Sequence, residues 1–204
     1  MMLDESERAR YLSATEFIDK DVESIRTLAE SLRQGSGQST SVALFDWVRD
    51  EIRYDPRCAK DPREQYRASA ILERRSGYCV QKAVLLAALG RAVGIPARLG
   101  FADVRNHKTP EWMLELMGTD LFVFHGYTEF YLDGGWLKAT PAFDRASAAK
   151  AGALLVELDG SNDAMLHPVD PEGHPYIEYI RSRGSYADVP VDEIQKTFLE
   201  VYGA

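Results

Sequence analysis

The chain of 204 residues has little of what most often announces a function. Its only cysteines are Cys58 and Cys79. Two thiols make no disulfide framework, a Cys-x-x-Cys pair is absent, and a reducing cytosol would leave both unbridged. The histidines are His107, His125, His167 and His174, and no two have the spacing of a helical zinc site, so no metal is expected. No Gly-rich phosphate loop or dinucleotide fingerprint occurs, and no cofactor is expected. Basic residues are outnumbered, 24 against 32 acidic, for a net charge of −8, and no basic block stands out. That argues against nucleic acid and against an anionic lipid surface. No apolar run approaches a membrane span. The opening MMLDESERARYLS carries acids where a leader would be apolar, so the expected location is cytoplasmic.

What is present is the balance of an ordinary globular protein, 45% apolar and 27% charged. The length suits a single domain spanning 1–204 with a sizeable core. Val22, Ile25, Leu28, Ala29 and Leu32 recur at helical spacing, with Asp21 as the expected N-cap. Gln34 to Ser39 reads as a short link. Val42, Phe45, Val48 and Ile52 mark a second amphipathic helix that ends near Tyr54-Asp55-Pro56. Residues 68–75 suit a short helix. The stretch from Tyr78 to Val93 is Ala/Leu-rich and apolar on most of its surface, so a buried central helix is predicted, stopped by Gly94 and Pro96. A strand over 97–104, a polar loop to about Glu111, and a hairpin of 122–132 with 136–140 follow, turned at Asp133-Gly134-Gly135. Beyond Phe143 the pattern weakens. Residues 159–176 read as an ordered, irregular arm, and Val191, Ile194, Phe198 and Val201 mark a last helix with Pro190 near its first turn.

The chemistry concentrates at Ser76-Gly77-Tyr78-Cys79. A glycine-containing loop delivers Cys79 to the first turn of the central helix, where free N–H groups and the helix dipole favour a thiolate, the nucleophilic form. The Cys79 N–H also points where an oxyanion would form. A small buried core cysteine is the plain alternative. His125 lies in Phe122-Val-Phe-His-Gly-Tyr-Thr-Glu-Phe-Tyr-Leu132, sharing a strand face with Tyr127, Glu129 and Tyr131. It could act as base to Cys79, or simply be satisfied by a neighbouring tyrosine or glutamate. A third group should orient the imidazole. Thr140 and Asp144 are the candidates, and the ion pair available to Asp144 makes it the expected partner. Trp112 could line a cleft; Trp47 and Trp136 read as packing residues.

These motifs together resemble the transglutaminase-like superfamily. Arg74-Arg-Ser-Gly-Tyr-Cys79, Lys82 to Leu89 and Ala92-Val-Gly-Ile-Pro-Ala-Arg98 look like its central helix and the stop that leads into its sheet. His125-Gly-Tyr-Thr-Glu129 resembles its His-x-aromatic-x-Glu strand, and Gly135-Trp136 its Gly-Trp. Phe45 to Asp55 resembles the helix before the cysteine. The likeness covers roughly 40–145, with 146–204 as a wrapping segment. It implies an α+β, papain-like fold in which a central Cys-bearing helix packs on an antiparallel sheet, with further N- and C-terminal helices. It also implies a catalytic set of Cys79, His125 and a third member. Where the family has Asp-Pro this chain has Thr140-Pro141, which leaves Asp144 or Thr140 for that role. The expected reaction is acyl transfer or hydrolysis at an amide of a peptide, a protein or a small molecule, through a Cys79 thioester. Hydrolysis is favoured because nothing marks an amine-acceptor site. A catalytically weak peptide-binding scaffold of the same fold is the alternative, and a redox-sensing thiol a weaker one.

Overall fold

The computed structural model describes residues 3–203. Three helices open the chain: α1 (Glu5–Arg10), α2 (Glu23–Ser31) and α3 (Gly37–Glu51). A two-residue strand β1 (Arg53–Tyr54), two 3₁₀ turns (Pro56–Lys60 and Arg63–Tyr66), α4 (Ala68–Arg74), a second short strand β2 (Ser76–Gly77) and α5 (Cys79–Ala92) follow. Then come β3 (Ala97–Asn106), α6 (Glu111–Met117), β4 (Leu121–Leu132), β5 (Gly135–Ala139), α7 (Arg145–Lys150), β6 (Ile177–Tyr186) and α8 (Val191–Tyr202). The main sheet runs β5-β4-β3-β6, antiparallel throughout. This is the α+β arrangement that the sequence implied, with a helix bearing Cys79 laid on an antiparallel sheet. No helix among the described residues is long and apolar enough to cross a membrane.

The centre of the molecule is α5. Every residue from Val80 to Arg91 is buried. Its leucines and valines each contribute about 1.5–3 kcal/mol over an exposed position. One side lies on β4, where the Thr128 hydroxyl donates to the Ala83 carbonyl at 2.9 Å. Farther along the same face, Gly90 leaves room for the Phe130 ring. The other sides meet α2, α3 and α4. The helix also buries two cations, which is tolerable only where donors find acceptors. Lys82 donates to the carbonyls of Arg49 (2.9 Å) and Ile52 (2.5 Å), at the end of α3. Arg91 donates to the carbonyls of Ala97, Ser13 and Ala187.

Several elements differ from the sequence reading. The cap of α2 is Val22, not Asp21, which pairs with Lys20 instead. The link after α2 is shorter than read, because Ser36 caps α3 reciprocally with Ser39 and draws 37–39 into the helix. The loop after β3 contains α6, the region after Phe143 contains α7, and β6 extends the sheet beyond β3. Residues 159–176 hold no helix and only isolated bridges, in keeping with an irregular arm.

Candidate active site

Cys79 is the first residue of α5. The parallel pair β1–β2, with Tyr54 opposite Gly77, fixes the loop that delivers it. The first turn of α5 then rests on β4 at Gly126. A Cβ on Gly126 would lie 2.8 Å from the Val80 Cα, so only glycine permits this approach. The contact has a chemical result. The N–H groups of Gly126, of Val80 and of Cys79 itself converge on the Cys79 thiol. Three donors on one sulfur favour the thiolate, and would equally favour an oxyanion beside it. The packed surroundings act the other way and push the thiol up to about 11, although part of the Cys79 surface is exposed. Cys58, by contrast, sits in the first 3₁₀ turn, and both thiols are free.

His125 is buried on β4. The strand is irregular just before it: Phe124 has φ +56° and the pairing with β3 shifts between Ala102 and Val104. Asp103 supports the irregularity, accepting from the Phe124 N–H at 3.1 Å while Arg183 and Arg181 neutralise its carboxylate. Such backbone strain persists only where surrounding contacts enforce it, and it is common at functional sites. His125 and Cys79 line one cavity, but no hydrogen bond joins thiol to imidazole. Burial pushes His125 down to about 4, and its Nε2 is buried with no hydrogen-bond partner among the described residues. In the state described, both groups are therefore neutral near pH 7.

The expected contact of Asp144 with His125 is not made. The Asp144 carboxylate accepts from the Tyr54 N–H (2.9 Å), the Ser147 N–H (2.7 Å) and the Ser147 hydroxyl (3.0 Å), capping α7. Three of the carboxylate's roughly four acceptor sites are thus taken by groups other than the imidazole. Burial raises its pKa, but the N–H bonds from Tyr54 and Ser147 outweigh that and the net shift is downward. Thr140 is buried too, and its hydroxyl faces the Met165 sulfur at 3.5 Å. The ring nearest the imidazole in edge contact is Tyr179 of β6, with centroids 6.2 Å apart. Asp144 instead holds the cleft wall, because Tyr54 and the neighbouring Phe143 both face the cavity and pack edge to face.

Trp112 lies on α6, 58% exposed, and does not line the cavity. Sequence reasoning missed Gly126, Tyr54 and Phe198 as parts of the site. A glycine inside an otherwise bulky strand, next to the candidate base, was the available signal for Gly126. Of the other histidines, His107 pairs with Glu178 and His167 contacts the Leu155 carbonyl at 3.3 Å, as loop residues do. Asp170, Glu172 and His174 bring three possible ligand atoms together, but Asp170 already serves Lys108 and the N–H groups of Glu172 and His174.

Against known proteins, residues 26–141 match the model of the transglutaminase-like superfamily core. A protein-glutamine gamma-glutamyltransferase of Pseudomonas aeruginosa is 26% identical over 169 residues, 76% of this chain and 24% of that protein. The chain thus spans about a quarter of the length of the curated relative it matches. Among solved structures, a candidate cysteine protease from Cytophaga hutchinsonii superposes with a TM-score of 0.52 at 19% identity, covering 90% of this chain and 55% of that one. The periplasmic domain of TgpA from Pseudomonas aeruginosa gives a TM-score of 0.48 at 23% identity, over 68% of this chain and 48% of that one.

Proposed function

Since the chain belongs to the transglutaminase-like superfamily, we propose that it is a cysteine enzyme acting on amide bonds, with Cys79 as nucleophile and His125 as its base. The observation that carries this reading is the placing of Cys79 on the first turn of α5, packed against Gly126 of β4, in the cavity that His125 also lines. His125 takes the thiol proton and the sulfur attacks the amide carbonyl carbon. The C–N bond breaks as the imidazolium returns the proton to the leaving amine, which leaves a thioester. Water, deprotonated by His125, then releases a carboxylic acid and restores the thiol. The donors from Val80 and Gly126 are fixed on a packed helix–sheet contact, so they need no rearrangement as negative charge develops.

Hydrolysis is the favoured outcome. The name of the Pseudomonas relative makes transfer to an amine the competing one. Adding a primary amine to a reaction on a peptide amide separates them, since transfer yields a new amide and hydrolysis an acid. The first test needs no substrate. Limiting iodoacetamide followed by mass spectrometry should label Cys79 ahead of Cys58, and His125→Ala should remove the preference. Equal labelling, in the native chain and in variants that widen the cavity beside Cys79 alike, would sink the proposal. It would favour the second reading, a peptide-binding scaffold, for which the unpartnered Nε2 of His125 and the prior engagement of Asp144 speak.

A further inference from the structure

The cavity beside Cys79 has about 70 Å³ of free volume. Sites that enclose small ligands run to about 300–1,000 Å³, so this one is too small to enclose a substrate as it stands, although part of the Cys79 surface is exposed. Some wall must move. Most of the walls belong to the packed centre: the start of α5, the ends of β3 and β4, and the segment pinned by Asp144. The last turns of α8 are different. The start of that helix is fixed by buried Val191 and Ile194 and by an Asp192–Arg63 ion pair at 2.7 Å. Farther along, Leu199 and Val201 are exposed. The end reaches the cavity through Phe198, whose ring meets the edge of Tyr78 at 6.4 Å. It is tied down by the Tyr202 hydroxyl, which accepts from the Val123 N–H (2.8 Å) and donates to the Leu121 carbonyl (3.1 Å).

The lining is as one-sided as the anchoring. Among the described residues it includes no carboxylate, lysine or arginine; polarity comes from Cys79, His125, Asn106 and two tyrosines, against nine apolar side chains, four of them phenylalanines. Resting on the reading of Cys79 as nucleophile, we propose that the end of α8 is a displaceable cover. Phe198 stands where the substrate places an uncharged, aromatic side chain next to the amide that Cys79 attacks. A substrate ring entering this place would take over the contact with Tyr78 and exclude water, as Phe198 does at rest. The closure also accounts for a thiol and an imidazole both held neutral. Lifting α8 admits water, which favours the charged pair.

The test uses the full chain and thiol reagents. Phe198→Ala and Tyr202→Phe should each speed iodoacetamide labelling of Cys79 roughly three- to tenfold, with Cys58 as the internal reference. Phe198→Trp, which keeps a ring in place, should label at the wild-type rate, so a gain in Phe198→Ala alone cannot be ascribed to general loosening. In the Phe198→Ala protein, a chloromethyl ketone of N-acetyl-phenylalanine should outpace its aspartate counterpart on Cys79 by roughly tenfold. Equal iodoacetamide rates in wild type, Phe198→Ala and Tyr202→Phe would overturn the cover, as would Phe198→Trp labelling as fast as Phe198→Ala. An aspartate reagent as fast as the phenylalanine one would overturn the aromatic site. If Cys79 labels selectively in a His125-dependent way yet ignores Phe198, the cover fails and the nucleophile stands. Labelling of Cys79 no faster than Cys58 in every variant overturns both.

Discussion

Gly126 is the point at which packing and chemistry coincide, and replacing it with alanine separates the two. The added Cβ would lie 2.8 Å from the Val80 Cα, 3.1 Å from its Cγ2 and 3.3 Å from Phe101. The nearest obstacle is helix backbone, which cannot rotate away as a side-chain tip could. The first turn of α5 must therefore back off from β4. Overpacking of this kind costs about 1–3 kcal/mol. For a domain of this size each kcal/mol lowers Tm by about 2–4 °C, so Gly126→Ala should melt roughly 2–12 °C below wild type. The same displacement draws the Gly126 N–H away from the Cys79 sulfur, so iodoacetamide labelling of Cys79 near neutral pH should slow as well. Gly90→Ala supplies the control. Its Cβ would meet the Phe130 ring at 2.4 Å, on the same helix but far from Cys79. Eleven residues at 1.5 Å each place it about 16 Å along the axis. It should destabilise comparably and leave the labelling rate unchanged. Thermal unfolding and mass spectrometry on the three proteins decide the matter. A Gly126→Ala protein with wild-type Tm and wild-type labelling refutes the argument, as does a Gly90→Ala protein whose labelling slows equally.

Asp144→Ala should lower stability by about 1–3 kcal/mol, from a lost helix cap and a stranded Tyr54 N–H, measured by urea unfolding. If it instead abolishes activity with stability intact, Asp144 serves the imidazole after all. Because the Asp144 pKa is lowered on folding, its contribution is complete above the unfolded carboxylate pKa and drains as pH falls through the folded value. His125 gives a separate acid limb. Its folded pKa of about 4 lies below the ordinary 6.5, so the unfolded chain binds a proton that the native state refuses. Stability should fall as pH drops from about 6.5 toward 4, and His125→Ala should flatten that part of a Tm–pH profile. Lys82→Met should cost about 2–4 kcal/mol in urea unfolding, since it strands two buried carbonyls at the end of α3. A neutral result would mean that those carbonyls find other donors.

The parts of this molecule that sequence could read are those whose pattern is written by burial. The run from Val80 to Arg91 is buried all round, and its all-apolar character names a central helix without further help. β4 and β5 were legible through their aromatic and branched residues and the Asp-Gly-Gly turn. The missed elements lack that signal. No residue of α6 is buried, so no periodicity marks it. β6 is an edge strand, exposed along most of its length, and joins the sheet through backbone bonds to β3 that any sequence can make. α7 is a short helix that exists because Asp144 caps it.

The same distinction explains the site. Cys79 and His125 are legible because a motif specifies residue type at fixed spacing, and helix and strand geometry then bring both to one cavity. The third position is not legible in this way. A motif records that a carboxylate is nearby but not whether its lone pairs are free. Here the Tyr54 and Ser147 groups claim the Asp144 carboxylate, from a strand 90 residues away and a turn three residues on. Those hydrogen bonds have a use at the site all the same. By holding Tyr54 and Phe143 against each other they shape one wall of the cavity. The carboxylate of Asp144, four residues beyond the motif position that Thr140 holds, is thus spent on the wall of the cleft. That leaves the end of α8, tied by the packing of Phe198 and the two hydrogen bonds of the Tyr202 hydroxyl, as the side able to give way.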